Sequence, residues 1–148
     1  MSAGIGASRE RVWCALTDPD ELVRWDESRI AIVDRPDTYP EPGQHVRWRY
    51  KLGGVPSLLH ERPTDVDFRE RLAADFKVGT HHYQQLYVLV EEPETSAQPA
   101  RTRVSLKQAS ENTVQLIGAE VDRFELRRML IARVDATLRA LQKWCENA

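Results

Sequence analysis

One carboxylate interrupts the apolar side of a predicted strand and is the first candidate for chemistry. Over residues 67–77 apolar and charged side chains alternate, and Glu70 occupies an apolar position. Because successive strand side chains point to opposite faces, this pattern predicts that Glu70 faces the interior. A buried carboxylate needs a partner or has a raised pKa, and either state suits acid–base catalysis. The alternative is a strand end or bulge where Glu70 reaches water or an arginine.

The histidines are the other candidates for proton transfer. His81 and His82 are adjacent in a predicted strand, so their rings point to opposite faces and cannot jointly bind one metal ion. No metal site is therefore predicted. His60 lies in a strand whose parity two prolines obscure, and a lone strand histidine is more often a satisfied polar residue than a catalyst. Two inward sets are open: His82 and Gln84 with Leu86, Val88 and Val90, or Tyr83, Gln85, Tyr87 and Leu89.

The elements that must position these groups follow from hydrophobic periodicity and capping residues. Two short helices begin after the capping residues Ser8 and Asp18, and each carries one tryptophan, Trp13 or Trp25, as an apolar anchor. The full set is a short strand near residues 3–6, helices at 9–16 and 20–25, strands from 28 and at 46–52, 55–61, 67–77, 81–90 and 104–108, and a helix from about 120 to 146.

Strands followed by a helix, without β-α-β alternation, predict an α+β fold, here in one domain over residues 1–148. A net charge of −2 without a basic stripe argues against nucleic-acid binding. No apolar run approaches the roughly 20 residues of a membrane span. Cys14 and Cys145 are predicted to be buried thiols, so the expected location is the cytoplasm.

The clearest strands also predict which side chains face the interior. Arg133, in contrast, is predicted to lie along the exposed face of the last helix. No nucleophile elbow, phosphate-binding loop, dinucleotide fingerprint or zinc-protease motif occurs. The predicted interior residues are Val46, Trp48, Tyr50, Phe68, Glu70, Leu72, Ala74, Phe76, Val104, Leu106 and Gln108.

The opening of the chain resembles the helix-grip superfamily (SRPBCC proteins), which includes START-like, birch-pollen-allergen-like and polyketide cyclase/dehydrase-like proteins. The resemblance rests on the segment 7–13 (ASRERVW), on 16–19 (LTDP), on Leu22 and on Trp25-Asp26. It implies a curved antiparallel sheet of six to seven strands around a long C-terminal helix, with two short helices after strand one. One departure is that only residues 1–7 are present for the first strand, which is normally longer.

The resemblance also implies a cavity between sheet and helix, and three functions. The first is binding of a small hydrophobic ligand, lipid-, aromatic- or polyketide-like. The second is a cofactor-independent cyclase/dehydrase-type enzyme with Glu70, His82 or His60 as acid–base residues. In it Tyr50 or another hydrogen-bond donor would stabilise the oxyanion that develops on the substrate. The third, ranked last, is a module resembling heat-shock-protein ATPase activators. No cofactor is expected, and a homodimer stays open. The predicted ligand-binding residues are Trp48, Tyr50, Phe68, Leu72, Phe76, Gln84, Leu106, Gln108, Phe124 and Ile131.

Overall fold

The computed structural model describes residues 1–52, 54–111 and 123–147, with side chains described up to residue 110 and again from 131. One sheet of seven strands, in the order β1-β7-β6-β5-β4-β3-β2, has every neighbouring pair antiparallel. The predicted α+β helix-grip fold is confirmed. The elements are β1 Ser2–Ile5, α1 Arg9–Thr17, α2 Pro19–Trp25, β2 Arg29–Ile32, β3 Val46–Leu52, β4 Val55–Asp67, β5 Arg71–Val78, β6 His81–Glu92, β7 Arg101–Glu111 and α3 Arg123–Glu146.

The two short helices begin at the predicted capping residues. The Ser8 side chain accepts a hydrogen bond from the Arg11 backbone N–H at 3.1 Å, and Asp18 accepts one from Asp20 at 2.9 Å. The indole Nε1 of Trp25 donates to the carbonyl oxygen of Ala15 at 2.8 Å, so this tryptophan joins α2 to α1. Capping and packing together stabilise helices that are too short to persist alone.

β4 is longer than the sequence predicts, and the segment after it is a turn. The strand continues past Pro63 to Asp67, with a register shift between Pro63 and Asp65 that accommodates the missing N–H group. Residues 68–70 then form a tight turn in which the Glu70 N–H donates to Asp67 O at 2.9 Å. The alternation predicted for residues 67–77 therefore holds only from Arg71 onward.

The last helix packs its apolar side against the sheet and against α1 and α2. From residue 131 onward, where its side chains are described, the buried residues are Val134, Leu138, Leu141 and Cys145, at steps of four, three and four along the helix. Cys14, predicted to be buried, is exposed. The predicted helix start near residue 120 lies outside the described residues. Within the described ranges, no helix has the length and apolar character needed to cross a membrane.

Both ends of the described chain meet at one edge of the sheet. The Met1 amino group donates to the Leu106 carbonyl oxygen at 3.1 Å, and the Gly6 N–H donates to the Glu146 carboxylate at 2.8 Å. The indole of Trp144 donates to Glu21 at 2.8 Å, which ties α3 to α2. The sheet, the two short helices and α3 thus enclose the space behind the concave face.

Candidate functional site

A cavity of about 320 Å³ lies between the concave face of the sheet, α2 and α3. Such a volume is at the lower end of the roughly 300–1,000 Å³ typical of small-molecule sites. Of the predicted interior residues, five line it: Tyr50, Leu72, Ala74, Phe76 and Gln108. The apolar wall also includes Leu16, Leu22, Trp25, Leu59, Ala136 and Ala140, and the polar groups are Asp26, Glu27, Ser28, Arg29, Tyr39, Glu61, Tyr83, Gln85, Tyr87, Arg133 and Thr137.

A buried ion pair forms one end of this cavity. Glu61 on β4 is 2% exposed and Arg29 on β2 is 7% exposed, with Arg29 Nη1 at 3.4 Å from Glu61 Oε1. The Tyr39 hydroxyl donates to Glu61 Oε2 at 2.8 Å, and the Trp48 indole donates to Oε1 at 2.8 Å. The carboxylate is therefore fully satisfied by donors from three different segments, as a buried charge requires.

Arg29 is held on its other sides as well. Its Nε lies 3.2 Å from Asp26 Oδ2, an ion-pair contact without hydrogen-bond alignment, and its guanidinium stacks 4.5 Å from the Trp48 ring centroid. Burial lowers the pKa of Arg29, but the opposing charges of Glu61 and other groups outweigh burial and the net pKa shift is upward. Arg29 thus stays a cation whose charge is compensated inside the protein.

A second guanidinium enters the cavity from α3. Arg133 donates a hydrogen bond to the Tyr50 hydroxyl, and its guanidinium carbon lies 5.8 Å and 5.6 Å from the ring centroids of Tyr50 and Tyr83. Burial lowers its pKa. The prediction that Arg133 lies along the exposed helix face is wrong, because the side chain folds inward over the two rings.

Tyrosine hydroxyls and amides supply the other polar groups of the cavity. Burial raises the pKa values of Tyr83 and Tyr87 on β6, so both phenols stay protonated at neutral pH. The Gln108 side chain donates to the Gln85 side chain at 2.9 Å. The interior therefore offers hydrogen-bond donors and acceptors on walls that are otherwise aromatic and aliphatic.

The predicted catalyst Glu70 lies outside the cavity. Its side chain is 58% exposed, and its carboxylate is 3.9 Å from the guanidinium of Arg9. The expectation that it faces the interior is wrong, since the residue belongs to the β4–β5 turn where strand parity does not apply. The alternative interpretation is the one that the structure supports: Glu70 lies near a strand end, exposed to solvent and close to an arginine.

The predicted histidines also face away from the cavity. On β6 the buried residues are Tyr83, Tyr87 and Leu89, so the inward set is the odd-numbered one and His82 is exposed. His60 Nδ1 lies 2.8 Å from His45 Nε2 on the outer face. Of the two inward sets left open, the one with His82 and Gln84 is wrong, and His60, which points outward, does not line the cavity.

The remaining predicted ligand-binding residues have different surroundings. Trp48 is fully buried behind Arg29, while Phe68 is 64% exposed in the turn and packs edge-on against Trp13, with centroids 6.0 Å apart. Leu106 and Ile131 line a second cavity, which is next to the first. Gln84 also lines this second cavity, but it is exposed and does not line the first. Phe124 falls among the residues whose side chains are not described. The predictions that Phe68 and Gln84 face the interior are therefore wrong.

Sequence reasoning missed Glu61, Arg29 and Tyr39. Glu61 pairs in register with Val46 on one side and Phe76 on the other, both predicted to face inward, so extending β4 through its prolines would have identified it. In β2 the apolar residues Ile30 and Ile32 alternate with Arg29, which favours an outward Arg29, but the register shift between Arg29 and Ala31 turns it inward. Tyr39 lies in a loop, for which periodicity gives no signal.

Among the described residues, no group of three or more histidine, cysteine, aspartate or glutamate side chains could hold a metal ion. The site instead consists of aromatic rings, two guanidiniums, the carboxylates of Asp26, Glu27 and Glu61, hydroxyls and side-chain amides. These groups can donate protons, accept protons and stabilise charge.

An antiparallel sheet curved around a terminal helix, with a cavity between them, defines the START-like helix-grip class. The chain belongs to the family described as polyketide cyclase/dehydrase and lipid transport, whose model matches residues 1–146. No curated protein matches the sequence.

Solved structures agree on the fold. A START superfamily protein from Mycobacterium smegmatis has a TM-score of 0.71 at 12% identity, covering 99% of this chain and 95% of its own. Protein CV1439 from Chromobacterium violaceum has a TM-score of 0.67 at 13% identity, covering 99% and 94%. DynU16, from the dynemicin biosynthetic locus, has a TM-score of 0.62 at 20% identity, covering 95% of this chain and 45% of its own.

Proposed function

We propose that this protein binds a small hydrophobic ligand, aromatic or polyketide-like in shape, in the cavity between the sheet and α3. The observation that carries the proposal is a cavity of about 320 Å³ whose apolar wall is combined with tyrosine hydroxyls and side-chain amides. Small-molecule sites typically have this composition. The lipid and polyketide chemistry named for the family supports the same class of ligand.

The shape of the cavity favours rings over a long acyl chain. Its volume is small, and Phe76 stacks on Tyr83 with centroids 5.1 Å apart and an interplanar angle of 10°, so flat rings already form the wall. Aromatic pairs are most favourable in offset-stacked or edge-to-face geometry, which a flat ligand ring would extend.

Dye binding tests the proposal. N-phenyl-1-naphthylamine, a neutral fluorescent dye, is expected to bind with a blue-shifted emission, and native mass spectrometry of the purified protein is expected to detect a retained or added small molecule. Ala140→Leu fills the cavity from α3 and should weaken dye binding about tenfold or more, because a methylene group in a packed site costs about 1 kcal/mol or more.

Ala132→Leu is the matched control, since Ala132 is exposed on the same helix. Equal dye affinity in both variants and the unaltered protein would place the dye outside the cavity. A bare chain that takes up no dye would contradict the proposal itself.

A second candidate is a cyclase/dehydrase-type reaction in the same cavity. The Tyr39–Glu61 hydrogen bond supports it, because a phenol and a carboxylate in contact can relay a proton. In this reaction the Tyr39 oxygen takes a proton from a carbon next to a carbonyl while the Tyr39 O–H proton passes to Glu61, and Arg133 and Tyr50 stabilise the enolate oxygen. The enolate carbon attacks a second carbonyl of the same chain, and the alkoxide that forms takes a proton from Tyr39, which recovers its own from Glu61. The same relay then removes a second α-proton and delivers it to the departing hydroxyl, so that a C=C bond forms and one water is released.

A synthetic poly-β-ketone thioester, followed by mass spectrometry, tests this candidate. The expected product has lost one water, and Tyr39→Phe should slow its formation by 10²-fold or more, the range for a general acid–base group. Glu70→Gln and His82→Asn should leave the rate unchanged, since both side chains are outside the cavity. A rate equal to that of the thioester in buffer would exclude this reaction for this substrate class.

A further inference from the structure

The two guanidiniums of the cavity differ in how their charge is compensated. Arg29 has Glu61 and Asp26 within ion-pair distance. Arg133 has no carboxylate within that distance among the described residues, and its contacts are the Tyr50 hydroxyl and two aromatic rings. The Asp26 carboxylate acts on Arg133 from beyond that distance, and its effect is smaller than the loss of hydration. A half-buried cation without a carboxylate in contact can therefore bind an anion.

Tyr50 adds a second donor at the same place. Its oxygen accepts the hydrogen bond from Arg133, so its own O–H is free to donate, and no acceptor for it occurs among the described residues. Tyr50 also lines the cavity. An N–H group of Arg133 and the O–H of Tyr50 therefore meet beside the same space, and two such donors suit an oxygen that carries negative charge.

The position of Arg133 on the helix directs it toward the ligand. Among the described side chains of α3, those that line the cavity are Arg133, Ala136, Thr137 and Ala140, at steps of three, one and three, which is one face of the helix. The two alanines leave space beside the guanidinium that larger side chains would fill. The charged group thus borders empty volume instead of the packed core.

We propose that the ligand of this cavity carries an anionic oxygen, a carboxylate or an ionised enol, that Arg133 and Tyr50 bind. This inference rests on the proposed function and specifies the ligand: an acidic aromatic compound instead of a neutral lipid. A planar carboxylate can accept two parallel hydrogen bonds from the guanidinium fork, which a neutral amide or ester cannot do with equal strength. Arg29 keeps its internal partners when the ligand binds.

The test compares two ring compounds of nearly equal size, 2-naphthoate and 2-naphthamide, by isothermal titration calorimetry at pH 7.5 and low ionic strength. The unaltered protein is expected to bind the carboxylate about 10- to 100-fold more tightly than the amide, the range for charge-assisted hydrogen bonds. Arg133→Gln should abolish the preference, and Tyr50→Phe should reduce it by a smaller factor. Arg133→Lys, which keeps the charge without the fork, should retain part of it.

Arg49→Gln is the matched control, because Arg49 is exposed on the opposite face of β3 beside Tyr50, and it should leave both affinities unchanged. Equal binding of the two compounds by the unaltered protein would overturn the inference, but it would not contradict the proposal that the cavity binds a ligand. A preference that survives in a folded Arg133→Gln variant would overturn the assignment to Arg133. If neither compound binds and the neutral dye does not bind, the proposed function fails as well.

Discussion

His60 and Glu61 are neighbours on β4, yet they lie in opposite environments. His60 is on the outer face, where its ring contacts His45 and the charged groups nearby are cations such as Lys77. Glu61 is on the inner face, where it is 2% exposed and accepts hydrogen bonds from Tyr39 and Trp48 beside Arg29. The comparison shows that position relative to the sheet, and not residue type, decides which titratable groups border the ligand cavity.

The largest effect expected from this comparison is on Glu61. Glu61→Gln removes the charge opposite a buried arginine, which leaves Arg29 poorly compensated and should lower the free energy of unfolding by about 3–5 kcal/mol. Glu70→Gln on the exposed turn is the matched control and should change it by less than about 0.5 kcal/mol. Urea unfolding followed by tryptophan fluorescence measures both. Equal losses in the two variants would contradict the inner/outer distinction.

Two phenylalanines give the next effect. Phe76→Ala on the inner face should cost about 3 kcal/mol, the lower end for such truncations, because the cavity beside Phe76 already limits its packing. Phe68→Ala in the exposed turn loses one aromatic contact, with Trp13, and should cost about 1 kcal/mol. Thermal unfolding gives the difference, and a reversed order would show that the turn, not the cavity wall, carries the packing.

A smaller effect is expected when one hydrogen bond to Glu61 is removed. Tyr39→Phe leaves Glu61 Oε2 without its 2.8 Å donor and should lower the free energy of unfolding by about 2 kcal/mol, the cost of an unsatisfied buried acceptor. Its ring still packs edge-on against Trp48. Double-mutant analysis with Glu61→Gln should show strong coupling, and additive losses would mean that the hydroxyl acts independently of the carboxylate.

The smallest effect is a pH dependence on the outer face. Partial burial, followed by the charges of His45, Lys77, Arg47 and Arg62, lowers the pKa of His60 below its ordinary value of 6.5. As the pH falls below 6.5 the unfolded chain takes up this proton first, so the stabilisation present above 6.5 is lost as the pH falls through the folded pKa.

His60→Asn should therefore flatten the stability profile slightly between pH 7.5 and pH 5. Urea midpoints across that interval measure the slope, and the His82→Asn variant is the comparison on the same face. A steeper slope in His60→Asn than in the unaltered protein would contradict a lowered pKa of His60 in the folded state.

The fold was predictable because its signals are local and repeated. Ser8 and Asp18 cap their helices as predicted, and the inward residues of β3 and β5 follow strict alternation in Trp48, Tyr50 and Phe76. Alternation of this kind is a direct consequence of strand geometry. The resemblance of the opening segment to the helix-grip superfamily then predicted how these elements are arranged in space.

The cavity residues were less predictable because irregularities shift strand parity. A register shift turns Arg29 inward, the prolines of β4 hide Glu61, and the β4–β5 turn carries Glu70 to the surface. A shift of one residue along a strand moves a side chain to the opposite face of the sheet. Each of these irregularities is therefore enough to decide whether a side chain lies at the surface or in the cavity. Arg133 required knowledge of helix rotation against the sheet, which tertiary packing sets.

The cavity draws its walls from distant stretches of chain: Leu16 near the beginning, Tyr50 and Tyr83 in the middle, and Arg133 in the final helix. During synthesis the ribosome releases this helix after all seven strands, so the concave aromatic surface is made before α3 can cover it. Until α3 docks, that surface is open to other nascent chains and to chaperones. A chain whose synthesis has not yet reached α3 therefore has the concave face of the sheet but no cavity between sheet and helix.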